Sequence, residues 1–373
     1  MPRNHAWIAV ESLAASEFRD CNDMQAIANA VAQSNLSAES VPGGTFARLG
    51  WFEDLKEWVK QVIEPLGLRL NSGFRQLNAR PRFSLIRFET DGPAVWFKAV
   101  GEPNLREYSI TLMLAGLASD FLPSLIAAHP KWNGWLAFEA EGNCLLKDEN
   151  PGAWLRAAHD LAELQIASLG SGPKLLDAGA RDLSLDTLRK SIAPFFRTVD
   201  DWIARNQPSP APLTKHDVCE ICAQIPRALN VLEEAGSPSV LGNLDVNPEN
   251  LIISARKTVF LDWAEAFVGH PFLTFQYLVQ HYRRACGQDV DLESRLVAHY
   301  LSPWRRLLSD MAIRQTMEVA PLAAIFAWTI ASESWSDPVK LNDPPPSRYF
   351  LGLMRRMHRE AHLLPERSAP CRD

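Results

Sequence analysis

Three oxygen-bearing side chains, Asp245, Asn250 and Asp262, stand at a spacing that can do chemistry. The first two lie in the polar run Asn243-Leu244-Asp245-Val246-Asn247-Pro248-Glu249-Asn250. That run leads into the β-type Leu251-Ile252-Ile253, a turn at 254–257, and Thr258-Val259-Phe260-Leu261-Asp262-Trp263. A loop followed by a hairpin whose far strand ends on Asp262 gathers three oxygen donors near one point. Hard oxygens of this kind suit Mg²⁺, which takes few protein ligands and completes its octahedron with phosphate oxygens and water. A carboxylate beside a metal and phosphate centre can orient or deprotonate an attacking hydroxyl. Taken singly, each residue also reads as turn chemistry, because Asp and Asn near Pro favour turns and Asp at a strand end caps one. The order of all three is what carries the chemical reading.

The elements that must position these groups fall into two kinds. Residues 1–70 read as a helical N-terminal extension, with helices over 24–31 and 51–63 separated by Pro42-Gly43-Gly44. Over 71–139 the text is β-rich. Residues 74–78, 83–88 and 95–100 predict three antiparallel strands, Thr90-Asp91-Gly92-Pro93 is a hairpin signal, and 135–138 predicts a further strand. Between them a helical pattern begins at Pro103-Asn104-Leu105-Arg106-Glu107, with Asn104 as its expected cap. From 140 to 373 the pattern is mainly helical: 153–169, 186–202, 215–235, 272–284, 292–308, 321–333 and 347–361. The loop and hairpin at 240–271 interrupt it, and proline runs at 208–212 and 343–346 mark surface loops.

Composition removes several classes of function. With 38 Lys and Arg against 44 Asp and Glu, the net charge is −6, which argues against a nucleic-acid partner. No signal-peptide core forms near the N-terminus, and the longest apolar run, 320–331, is far short of the roughly 20 residues that cross a bilayer. No membrane association is therefore expected. The six cysteines are scattered without a disulfide-scaffold spacing, which fits reduced thiols and a cytoplasmic protein. Cys219-Glu220-Ile221-Cys222 lacks the second pair or flanking His that a zinc site requires.

The pattern D-x-x-x-x-N, apolar strand, turn, apolar strand, D is the catalytic and metal-binding order of the kinase fold. With Leu261-Asp262-Trp263-Ala264-Glu265-Ala266-Phe267-Val268-Gly269-His270-Pro271 following Asn243 to Asn250, the sequence resembles the aminoglycoside phosphotransferase and choline kinase family. Its usual patterns are H-G-D-x-x-x-x-N and I-D-W-x-x-A-x-x-G-D-P. The resemblance covers roughly residues 71 to 335 and implies an α+β, bilobal protein-kinase-like fold, with a small antiparallel N-lobe and a large, mainly helical C-lobe. It implies an ATP- and Mg²⁺-dependent transfer of phosphate to a hydroxyl of a small molecule. By it, Asp245 is the catalytic base, and Asn250 and Asp262 are the Mg²⁺ ligands. Lys98, at the end of Val95-Trp96-Phe97-Lys98, contacts the ATP phosphates and pairs with Glu107, a cation held by a carboxylate. Glu139 and Ala140, in Trp135-Leu136-Ala137-Phe138-Glu139-Ala140-Glu141-Gly142, belong to the inter-lobe hinge whose backbone bonds adenine.

The sequence departs from that pattern in four places. Asn243 stands where the family has His, Leu244 where it has Gly, and His270 where it has Asp. The turn Ala79-Arg80-Pro81-Arg82 has no glycine to let backbone amides close over phosphates, and Arg80 and Arg82 could supply charge instead. A kinase-like protein that binds nucleotide or a partner without transfer is therefore the alternative reading. For an acceptor, Asp201, Trp202, Glu333 and Trp335 could line the site, but each reads first as structural or solvated.

Overall fold

The computed structural model describes residues 45–47, 50–80, 82–148, 150–205, 213–287 and 289–367. The helix expected at 24–31, the breaker at 42–44, the proline run at 208–212, Cys21 and Cys371 lie outside them. The chain divides into two compact units, with the division between Ala140 and Glu141.

In the first unit, α1 (Trp51–Ile63) buries Trp51, Phe52, Leu55, Val59 and Ile63, a spacing that lays one helix face against a core. The core it meets is one side of an antiparallel sheet. The strands are β1 (Leu70–Arg80), β2 (Phe83–Thr90), β3 (Val95–Val100), β4 (Leu125–His129) and β5 (Gly134–Phe138), in the order β1-β2-β3-β5-β4. Ile86, Phe88, Val95, Phe97, Ala99 and Leu136 pack with the helix. The turn after β2 is held by Thr90, whose hydroxyl accepts from the Gly92 N–H and donates to the Pro93 carbonyl. β1 runs longer than its apolar pattern suggested, because pairing with β2, interrupted by irregularities between Leu70 and Phe74 and between Gln76 and Asn78, carries its polar residues.

The helix between β3 and β4, α2 (Arg106–Leu117), follows Leu105 as N-cap with no side-chain cap bond. Asn104 is therefore not the cap. It contributes its backbone carbonyl instead, which accepts from the Glu107 N–H.

The second unit begins with β6 (Asn143–Cys144), α3 (Pro151–Ala167), α4 (Gly172–Asp177), β7 (Arg181–Leu183), α5 (Leu185–Arg205) and α6 (Lys215–Glu234). It continues with β8 (Val240–Asn243), β9 (Leu251–Ile253), β10 (Thr258–Phe260) and β11 (Ala266–Gly269). The last helices are α7 (Pro271–Cys286), α8 (Val290–Trp304), α9 (Asp310–Ala331), α10 (Pro338–Asn342) and α11 (Pro344–Arg367). Several helices start on side-chain caps: Asn150, Thr214 in a capping box with Asp217, Asp289 and Ser309. Two small sheets, β10-β9-β6 and β7-β11-β8, frame the chemical loop. In the second, β8 lies so close to its neighbour that a Cβ on Gly242 would come within 2.1 Å of the Phe267 ring, so only glycine fits there. No helix among the described residues is long and apolar enough to cross a membrane. Cys219 and Cys222 are unpaired on α6.

His270 caps α7 through its ring, Nδ1 accepting the Phe272 N–H at 3.3 Å. Burial pushes its pKa down to about 3, so the imidazole is neutral, as an acceptor at Nδ1 requires.

Two outcomes are expected from this packing. Truncating the fully buried Leu55 in L55A should cost about 2–5 kcal/mol in denaturant unfolding, whereas a loss under about 1 kcal/mol would detach α1 from the core of the unit. Unfolded histidine titrates near 6.5, so the stability held by neutral His270 is complete above that pH. It is lost as pH falls toward 3, by at most about 1.4 kcal/mol per unit. In H270N, which keeps a cap acceptor without titrating, Tm should vary less between pH 6.5 and 4; an unaltered profile removes His270 as the source.

Candidate active site

In the first unit the pleat of β3 sorts its side chains. Val95, Phe97 and Ala99 face the α1 core, and Lys98 points to the opposite face. There its ammonium lies 2.5 Å from Glu107 Oε1. It also lies 5.6 and 5.8 Å from the centroids of Phe83 and Trp135. Glu107 is 1% exposed, in the first turn of α2, where the helix dipole favours a carboxylate. The pairing expected from the sequence is thus formed, and its burial makes it more than a surface contact.

Glu139 has a different environment. Its carboxylate takes two bonds from the Arg87 guanidinium, at 2.7 and 2.9 Å, and one from the Trp96 indole at 3.0 Å. Arg87 holds its pKa below the usual carboxylate range. Its N–H donates to the Ala94 carbonyl at 2.9 Å. The side chain therefore clamps the end of β5 onto β2 and β3, and Ala140 follows directly on this anchored point.

In the second unit the chemical loop is organised by Asn243, 3% exposed at the end of β8. Its Nδ2 donates to the Asp262 carbonyl and its Oδ1 accepts from the Asp245 N–H, both at 2.9 Å. Its own N–H donates to the Thr274 hydroxyl on α7. The Asn250 amide donates to the Asp245 carbonyl and to Asp245 Oδ2, at 3.3 and 3.2 Å, while the Asn250 carbonyl accepts from the Leu261 N–H at 2.8 Å. Asp245, Asn250 and Asp262 are thereby brought together within one network. The β10 strand stops at Phe260, and Asp262 adopts φ 60°, a left-handed conformation that Asp tolerates better than most residues. The Leu244 N–H donates to the Glu265 carbonyl, so the chain passes this position without a glycine.

Some supporting residues carry no motif signal. The Cys144 thiol donates to the Pro248 carbonyl of the loop at 3.3 Å. Arg181 bonds Glu265 at 2.8 Å and Glu333 at 3.3 Å, tying β7 to the residues after Asp262. Only spatial proximity across long sequence separations reveals these contacts. Of the acceptor candidates, Trp202 is buried with its indole on the Leu341 carbonyl, and Trp335 bonds the Ile330 carbonyl and packs edge-on to Phe195. Asp201 and Glu333 are exposed, Glu333 at φ 54°.

The donor set fits Mg²⁺. With the Asn250 amide nitrogen turned to Asp245, its oxygen and the Asp262 carboxylate are hard donors on neighbouring backbone. Among the described residues no group of three or more His, Cys, Asp and Glu side chains is arranged to hold a metal. Mg²⁺ takes one or two carboxylates and draws its other ligands from phosphate and water.

No protein-family model and no curated protein matches the sequence. Solved structures do. A choline kinase from Cryptosporidium parvum aligns at TM-score 0.55 and 14% identity, covering 84% of this chain and 95% of that one. An ethanolamine kinase from Plasmodium vivax aligns at 0.53 and 15%, covering 84% and 90%. A macrolide 2'-phosphotransferase from Brachybacterium faecium aligns at 0.51 and 13%, covering 81% and 98%. These are the kinds of protein that the motif order resembles, and the likeness shows that the chain has the kinase-like fold they share.

Proposed function

We propose that the protein is a phosphotransferase that moves the γ-phosphoryl group of ATP, with Mg²⁺, to a hydroxyl of a small molecule. The observation that carries this reading is the Asn243 network, which holds Asp245, Asn250 and Asp262 in the order used by kinase-like enzymes. The buried Lys98–Glu107 pair and the likeness to choline and ethanolamine kinases and a macrolide phosphotransferase support it.

In this reading Asp245 orients the acceptor hydroxyl and takes its proton as the oxygen attacks phosphorus in line. Lys98, braced by Glu107, offsets charge on the α- and β-phosphates. Bound Mg²⁺, held by Asn250 and Asp262, would supply neutralisation of the phosphate charge. Backbone at Glu139 and Ala140 holds the adenine edge, while the Glu139 side chain stays on Arg87. Positioning and charge neutralisation account for most of the rate, because phosphoryl transfer demands little covalent work from the protein.

A second reading, nucleotide or partner binding without transfer, is favoured by the connection between β1 and β2. It carries the exposed Arg80 and Arg82 in place of glycines.

Incubation with ATP, Mg²⁺ and a panel of amino alcohols, sugars, hydroxy acids, aminoglycosides and macrolides is expected to yield a phosphorylated product. D245A should lower turnover about 10²–10⁴-fold with Mg²⁺-ATP binding kept. N243A removes one hydrogen bond each from the Asp245 N–H and the Asp262 carbonyl, and should cost about 1–3 kcal/mol of stability as well as turnover. Absence of both product and thermal stabilisation by Mg²⁺-ATP removes the reading; stabilisation without product selects the second.

A further inference from the structure

A groove in the second unit lies between α7 and α11, both of which pack against α9. Half-buried Trp328 of α9 lies between them, bonded to Tyr349 of α11. The Tyr277 ring sits 4.9 Å from Trp328, and the Tyr277 hydroxyl donates to the Ala324 carbonyl. On α7, Tyr277, Gln280 and Arg284 occupy successive turns of one face. Facing them, Tyr349, Gly352 and Arg356 recur on one face of α11. A Cβ on Gly352 would meet nothing within 4 Å, so the turn between Tyr349 and Arg356 is open.

The charges in this groove are unbalanced. Half-buried Arg356 donates to the neutral side chain of Gln280. The groups that act on its ionisation are Tyr277, Arg284, Tyr349 and Arg359, with no carboxylate among them, and burial together with Arg284 depresses its pKa. Neighbouring Arg283 and Arg359, by contrast, pair with Glu293 and Glu360. Tyr349 accepts from the Trp328 indole, which leaves its own proton for another acceptor. Arg284, Arg356 and Tyr349 are near enough to act on one another's ionisation, beside the open turn at Gly352.

We propose that this groove binds an oxyanion group, carboxylate or phosphate, of a small molecule, clamped by Arg284 and Arg356 with the Tyr349 hydroxyl as a third donor. Thr274, which holds Asn243, shares this side of α7, and Gln280 stands about 9 Å of helix rise beyond it. On the phosphotransferase reading, on which this assignment rests, the oxyanion belongs to the acceptor.

Calorimetric titration of the full chain with inorganic phosphate at fixed ionic strength, with chloride as control, tests the site. Saturable binding is expected, weakened about tenfold in R284Q and R356Q, the effect of losing a charge-assisted hydrogen bond. Arg284 is exposed, so R284Q decides the outcome even where R356Q does not fold. Heats equal to those of chloride, or equal binding by wild type and R284Q, overturn the proposal. In the acceptor panel, hydroxyl compounds bearing a carboxylate or phosphate should be turned over, and R284Q should raise KM more than it lowers kcat. Turnover confined to neutral or cationic compounds overturns the acceptor assignment. A chain that binds phosphate through Arg284 yet transfers none from ATP keeps the anion site and loses the phosphotransferase reading. A chain that transfers phosphate while R284Q binds as wild type does the reverse.

Discussion

One buried amide organises the loop and hairpin of the second unit that carry Asp245, Asn250 and Asp262. Asn243 has a donor and an acceptor on the same side-chain plane, and both are used: one on the Asp262 carbonyl, the other on the Asp245 N–H. Burial makes these bonds obligatory, because an unmet polar group there would cost about 1–3 kcal/mol. The two acidic residues come from segments separated by the whole β9–β10 hairpin, yet a single rigid side chain sets their backbone positions. The Thr274 bond then ties that side chain's own backbone to α7.

The first unit solves a parallel problem by alternation. A strand that places Phe97 in a core must place Lys98 on the other face, and α2 brings Glu107 to that face already buried. The α1 helix matters indirectly. By covering one side of the sheet, with Trp51 and Trp58 edge-on or tilted against Phe97, it decides which side remains for the charged pair.

Much of this could be read from residue types. The Asp245 to Asp262 run, the Lys98 strand, the Glu107 helix and most helices of the second unit follow from period and motif. Short strands could not be read, since residues 125–129, 143–144, 181–183 and 266–269 are too brief or too uniformly apolar to show a period of two. They become strands by pairing with partners up to about a hundred residues away, as Cys144 does with Ile252. Asn104 misled because capping depends on where the backbone turns helical, and here that begins one residue later, at Leu105. Arg181, Cys144 and the Arg284–Arg356 groove lay beyond reach for the same reason: their neighbours are distant in sequence.

The identity of the residue at 243 has a consequence for acidity. An imidazole in this position, as in the pattern the sequence resembles, changes protonation near neutrality, and with it the balance of donors and acceptors that the two acidic segments need. A carboxamide does not titrate. The nearby His270 does not either at neutral pH, being buried and neutral down to about pH 3. The scaffold behind Asp245 is therefore blind to changes in pH around neutrality; on the proposed phosphotransferase reading, any pH dependence of turnover reports on Asp245, the phosphates or the acceptor rather than on the order of the loop.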